Sequence, residues 1–203
     1  MDATAEPGAS GTLVLDLDAG ESVLAATDSL VDHTGGVRVR RPREDALRSV
    51  ANATSERTPV RVVADENATV RLAPPFHGEV VACSVDHEPV ATARTAFLAA
   101  TDGVRVGADR VGDGPARGDG LFLTTGAGDG TLYLAGRGRV DAITLEAGDE
   151  RVVTAAHVVA FEERADVTVE RAGAQEEATP TCRIQGPATV WVGTRPAVGG
   201  RPR

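Results

Sequence analysis

The side chains here with the widest chemical reach are four histidines and two cysteines: His33, His77, His87, His157, Cys83 and Cys182. An imidazole that moves protons or binds metal needs partners at defined spacing. The chain has no His-x-x-x-His, Cys-x-x-Cys or His-Glu-x-x-His pattern, so no zinc site is expected. His87 falls in an acidic turn, His77 follows Pro74-Pro75-Phe76, and His157 precedes the apolar pair Val158-Val159. Local structural roles are expected for these three. Cys83 and Cys182 each sit in an apolar alternating run, which predicts buried thiols rather than a disulfide. Nothing supports a Cys–His nucleophile pair.

Gly-x-Gly patterns occur at Gly118-Asp-Gly120, Gly126-Ala-Gly128, Gly128-Asp-Gly130 and Gly136-Arg-Gly138. Phosphate cradling needs such a turn between a strand and a helix N-terminus. Here alternating runs flank the glycines on both sides, so they read as hairpin turns. Three acidic turns, Asp18-Ala19-Gly20-Glu21, Asp86-His87-Glu88 and Glu146-Ala147-Gly148-Asp149, lack an EF-hand pattern and read as solvated. Arg38, Arg40, Arg41 and Arg43 form the best basic cluster, but Glu44 and Asp45 follow at once. Nucleic-acid binding needs a net basic face and stacking aromatics. A net charge of -9 and 3% aromatic residues argue against it. No catalytic residue, metal or cofactor is expected, and the chain reads as a non-enzyme.

The elements that position these residues are strands. Gly 23 and Pro 11 in 203 residues leave little room for long helices. All 21 basic residues are Arg, against 30 Asp and Glu. Arg without Lys on an acidic chain is the pattern of a haloarchaeal protein, whose surface stays soluble in concentrated salt. The alternative is the codon bias of a GC-rich genome. The first ten residues lack the basic start and apolar run of a signal peptide. No stretch reaches the roughly 18 apolar residues of a spanning helix. The expected location is cytoplasmic.

Internal similarity is the strongest pattern. Three segments start at the acidic turns and run to Val37-Arg-Val39, Val104-Arg-Val106 and Val167-Thr-Val169. Three hairpins also recur: Val60 to Leu72, Leu121 to Leu134 and Cys182 to Val192. Period-2 alternation marks both kinds as half-buried strands. The expected fold is all-β, with three β-sandwich units about a pseudo-threefold axis. The units are 60–106, 121–169, and a third joined from 11–40 and 181–195. Residues 41–59 read as a loop, with one or two helical turns at 45–51. Residues 107–119 and 172–180 read as connections, and 197–203 as a flexible tail.

Several stretches carry a family resemblance: Leu72-Ala-Pro-Pro-Phe-His-Gly-Glu79, Gly118-Asp-Gly-Leu-Phe-Leu123 with Gly128-Asp-Gly-Thr131, Ala156-His-Val-Val-Ala-Phe161, and Gly186-Pro-Ala-Thr-Val-Trp-Val192. In order and spacing they resemble the altered-inheritance-of-mitochondria family, number 24, also called domain of unknown function 124. The resemblance spans about residues 12 to 196. It implies a fold similar to the tryptophan RNA-binding attenuation protein. It implies no established activity for prokaryotic members, and a link to inner-membrane organisation for mitochondrial ones. The family's Gly-rich linker after the first unit is replaced here by the charged, Gly-free stretch 41–59.

The preferred functional reading is a structural or scaffolding protein that works through protein contacts or self-association. The alternative is a module for a small ligand or lipid, with peripheral membrane contact. Arg71, Tyr133 and Trp191 hold one equivalent position in the three hairpins, opposite to their aliphatic neighbours. They are the expected contact face, between units or between subunits.

Overall fold

The structure, a computed structural model, describes residues 1–6, 10–41, 47–48, 59–86, 88–111, 121–171 and 180–197. The residues described form an all-β protein of four sheets. The first sheet orders β1 (Asp2–Glu6), β2 (Thr12–Leu17), β8 (Ala68–Leu72) and β4 (Leu30–His33). The second orders β5 (Val37–Arg40), β7 (Val60–Ala64), β3 (Ser22–Ala25), β11 (Phe97–Thr101), β14 (Thr131–Arg137) and β9 (Gly78–Ser84). The third orders β15 (Val140–Leu145), β20 (Ala188–Gly193), β17 (Val158–Glu162), β10 (Val90–Ala93), β13 (Leu121–Gly128), β12 (Val104–Val111) and β6 (Leu47–Arg48). The fourth orders β16 (Glu150–Thr154), β19 (Pro180–Gln185) and β18 (Asp166–Arg171). The ladders are antiparallel except the short pairing of β6 with β12.

Three apolar cores separate the four sheets. Leu13, Leu15, Leu17, Val70 and Leu72 of the first sheet meet Val23, Val62, Leu98 and Tyr133 of the second. Leu24, Phe97, Leu132 and Leu134 of the second meet Val90, Val104, Val159 and Ala160 of the third. Phe161, Leu145 and Val190 of the third meet Val153, Cys182 and Ile184 of the fourth. The two inner sheets are therefore covered on both faces, and their central strands are apolar in succession. In β14, Leu132 and Leu134 enter the second core while Tyr133 and Ala135 enter the first. The first sheet has one wet face, and its strands alternate instead. In β8, Ala68, Val70 and Leu72 are buried while Arg71 is exposed.

The pairing order recurs along the chain. Strands β2–β8–β4 lie in one sheet and β5–β7–β3 in the next; then β9–β14–β11 and β12–β13–β10; then β15–β20–β17 and β18–β19–β16. Successive sets join where β3 pairs with β11 and β10 pairs with β17. This corrects two expectations. The recurrent segments 60–72, 121–134 and 182–192 are not hairpins, because β7 and β8, β13 and β14, and β19 and β20 lie in different sheets. Residues 11–40 do not combine with 181–195. Strands β2, β3, β4 and β5 pair with β7 and β8, while β19 and β20 pair with β15, β16, β17 and β18. Residues 107–111 also differ from the expected connection: they continue β12 against β13. Within 41–59, Leu47–Arg48 forms β6 against β12 in place of the expected helical turns, and most of the rest lies outside the described residues, as does 112–120.

One glycine marks where the sets meet. The Gly78 carbonyl accepts from the Gly11 amide at 2.7 Å, and Gly78 bridges Gly138 in parallel. A Cβ on Gly78 would overlap the Gly136 carbonyl oxygen, so the residue serves close backbone approach.

Candidate functional site

The residues singled out by type take structural places. Cys83 is buried in the second core and Cys182 in the third, and both are free. Burial pushes the Cys83 thiol up to about 12, with the charge of Glu162 adding to it. Burial alone pushes Cys182 up to about 11. Both stay protonated at neutral pH, whereas a nucleophilic cysteine must be a thiolate. His157 follows β16 in a short 3-10 turn, and its Nδ1 donates to the Gly193 carbonyl at 2.7 Å. His77 lies 2.8 Å from the Ser10 hydroxyl through Nδ1. His33 is exposed on β4, and His87 lies outside the described residues. Among the described residues no three His, Cys, Asp or Glu side chains converge to hold a metal.

The acidic turns are held by their own carboxylates. Glu21 accepts from the Asp18 amide at 2.9 Å, and Asp149 from the Glu146 amide at 2.9 Å. Gly20 and Gly148 supply the positive φ in these turns, at 89° and 93°. Arg38 of the basic cluster pairs with Asp65, and Arg43 is outside the described residues.

Arg71, Tyr133 and Trp191 do not form one face, because they lie on three different sheets. Tyr133 is 5% exposed and packed in the first core. Burial pushes its phenol up, opposed by a hydrogen bond with Thr131. Trp191 is half-buried against the second core. Arg71 is exposed and pairs with Asp32.

Two surface features that sequence reasoning missed remain. The first is a set of open edges. Among the described residues, strand β4 lacks the neighbour that β11 and β17 have, and β16 lacks the one that β3 and β10 have. Val31 on β4 and Val152 on β16 are each 52% exposed, and Val39 on the edge strand β5 is 50% exposed. The internal counterparts of Val31 are Leu98 and Val159, both buried at the joints. Part of the signal was present, since Val39 stands in the alternating run Val37-Arg-Val39, whereas Val31 and Val152 each lie in an apolar pair. The missing fact was which strands have only one neighbour.

The second feature is a cleft between the ends of β10, β14 and β20. Phe76, Thr95, Gly136, Arg137, His157 and Arg195 contribute to its walls. The Arg137 guanidinium lies over the Phe76 ring, 4.5 Å from its centroid. The Arg195 amide donates to the Arg137 carbonyl at 3.1 Å, which sets the two arginines side by side. No sequence signal joins them: the contact crosses from the end of β14 to the segment after β20.

These observations define a class: a stack of antiparallel sheets with charged outer faces, open edges and a basic cleft. The sequence profile described as mitochondrial biogenesis AIM24 matches residues 5–195, and the chain belongs to that family. A search of curated proteins finds no match. Among solved structures, a structural-genomics crystal structure of a Streptococcus pyogenes protein is similar. Its TM-score is 0.80 at 21% identity, over 96% of this chain and 94% of that one. That likeness carries the fold alone.

Proposed function

We propose that this chain is a non-enzymatic structural protein that works through protein contacts made at its open sheet edges. The observation that carries the proposal is the placement of Val31, Val39 and Val152, half-exposed on edge strands of three sheets. An edge offers unpaired backbone donors and acceptors to an added strand, and an apolar side chain on it gains by being covered. The outer faces are poorer docking surfaces. Arg71–Asp32 stands on the first sheet, and Arg183 with Glu150 and Glu170 on the fourth; covering these would desolvate ion pairs. Partners, or further copies of the chain, therefore add at edges. The test compares the particle released gently from source cells with the purified chain of 20.9 kDa. A larger particle, reduced by Val31→Arg with Val152→Arg, is the expected result. A lone chain in both preparations contradicts the proposal.

The recurring strand order supports a further element of this reading: the three sets are copies of one unit about a pseudo-threefold axis, at about residues 12–72, 78–137 and 140–193. The acidic, Lys-free surface supports a salt-rich cytoplasm. Among the described residues no helix is long and apolar enough to cross a membrane. The cleft favours a second reading, a module for a small ligand or lipid. Flotation with vesicles separates the two readings: a structural protein stays with the soluble fraction. RNA binding is the weakest alternative, because Arg38 is engaged by Asp65 and the net charge is -9.

A further inference from the structure

We infer that the cleft holding Arg137, His157 and Arg195 binds a small oxyanion, a phosphate or carboxylate group carried on a compact molecule. This inference is independent of the edge contacts. It starts from charge bookkeeping within an acidic chain, where 30 Asp and Glu face 21 Arg. Arg38, Arg61, Arg71, Arg139, Arg164 and Arg183 each have a carboxylate partner. Arg137 and Arg195 have none among the described residues. Their backbones are hydrogen-bonded to each other, so these two residues are held next to one another at the cleft.

The surroundings are those of a receptor rather than of a frayed surface. Stacking on Phe76 fixes the Arg137 guanidinium and keeps its fork available. The bond from His157 Nδ1 to the Gly193 carbonyl fixes that ring. The rest of the wall is mostly small and apolar, with Ala93, Ala96, Ala135, Gly136 and Ala156 beside Val158 and Val159. The nearby carboxylates are committed elsewhere: Glu79 accepts from the Val140 amide at 2.7 Å, and Asp141 pairs with Arg139. Arg137 and Arg195 both contribute to the wall of this concavity, and an anion bound there offsets their like charge. A planar or tetrahedral oxyanion can accept from both forks.

The experiment is a calorimetric titration of the full chain with inorganic phosphate, and separately with citrate, at fixed ionic strength set by potassium chloride. Saturable binding of at least one is expected, weakened at least tenfold in Arg137→Gln and in Arg195→Gln. Arg105→Gln, an exposed arginine on β12, should bind as the wild type does. Arg195 is exposed and carries no ion pair, so Arg195→Gln keeps the native melting point and decides the matter even if Arg137→Gln folds poorly. Flotation with phosphatidic acid and phosphatidylcholine vesicles identifies the source of the group. Capture by the first alone, lost in Arg195→Gln, assigns a lipid headgroup; no capture with retained phosphate or citrate binding assigns a free small molecule. Absence of saturable binding to phosphate, citrate and phosphatidic acid overturns the inference. Affinity unchanged in Arg195→Gln overturns it equally.

Discussion

Tyr133 and Trp191 stand in the same frame. Each is flanked across its sheet by two alanines: Ala82 and Ala99 beside Tyr133, Ala142 and Ala160 beside Trp191. The small neighbours make room for a ring that reaches a core on the far side of the sheet. Arg71, at the corresponding place on β8, is flanked by Val14 and Asp32 and has solvent on that side. One strand position thus carries an aromatic where another layer follows and an ion pair where none does. Tyr133→Ala should cost about 3–5 kcal/mol, the range for losing a buried ring. Arg71→Ala should cost less than about 1 kcal/mol, because its ion pair is exposed. Urea unfolding of the two variants checks the contrast. Equal losses would show that the two positions do not differ in this way.

Gly78 and Gly20 should fail for different reasons. A Cβ at Gly78 meets backbone that cannot move alone, so Gly78→Ala should cost at least about 1–3 kcal/mol by overpacking. Gly20 has open space but a φ of 89°, so Gly20→Ala should lose about 1–2 kcal/mol to backbone strain. Thermal denaturation of both measures this. Replacement of Gly20 by Asn, which tolerates positive φ, should recover part of the loss at Gly20.

The thiols give a pH prediction with a definite sign. Their folded values lie above the ordinary thiol range, at about 12 for Cys83 and about 11 for Cys182. The folded state therefore holds these protons more tightly than the unfolded state. The stability they contribute is intact below pH 9 and is lost as pH rises toward 11 and 12. A double Cys83→Ala, Cys182→Ala variant should show a shallower alkaline loss. In the native wild type at pH 8, a disulfide reagent should label neither cysteine within minutes, and both once urea unfolds the chain. Rapid native labelling would contradict the burial described.

Salt should act mainly through the excess of carboxylates. The exposed ion pairs weaken on screening, but each contributes only about 0–1 kcal/mol. Repulsion within a surface of net charge -9 falls at the same time. The melting temperature should rise from low to multimolar potassium chloride, by about 2–4 °C per kcal/mol gained in a chain of this size. A flat or falling curve would assign the Lys-free composition to codon usage.

Strand existence was legible in the sequence because period-2 alternation is local. Leu13, Leu15 and Leu17 announce β2 without reference to any partner. Turn positions were legible for the same reason, although the strands they join, β7 with β8, β13 with β14 and β19 with β20, pass into different sheets instead of pairing as hairpins. The phase of the pattern was not. A run of strands and turns reads equally well from any starting strand, and only the pairing of β2 with β8 shows that residues 11–40 belong with 60–72. The doubly covered sheets hid the role of Tyr133, since alternation cannot tell an outer face from a second core. Arg137 and Arg195 meet through a backbone hydrogen bond between distant segments, and no residue pattern announces it.

The measurement closest to the central claim is photo-crosslinking in source cells. A photoreactive residue is placed in turn at Val31, Val39 and Val152, with Asp18, in an exposed turn, as the control. The account predicts protein adducts from the edge positions and none from Asp18: twice the chain mass for a second copy, another mass for a different partner. No adduct from any edge position, or equal labelling at Asp18, would contradict the claim that this chain works through contacts at its open edges.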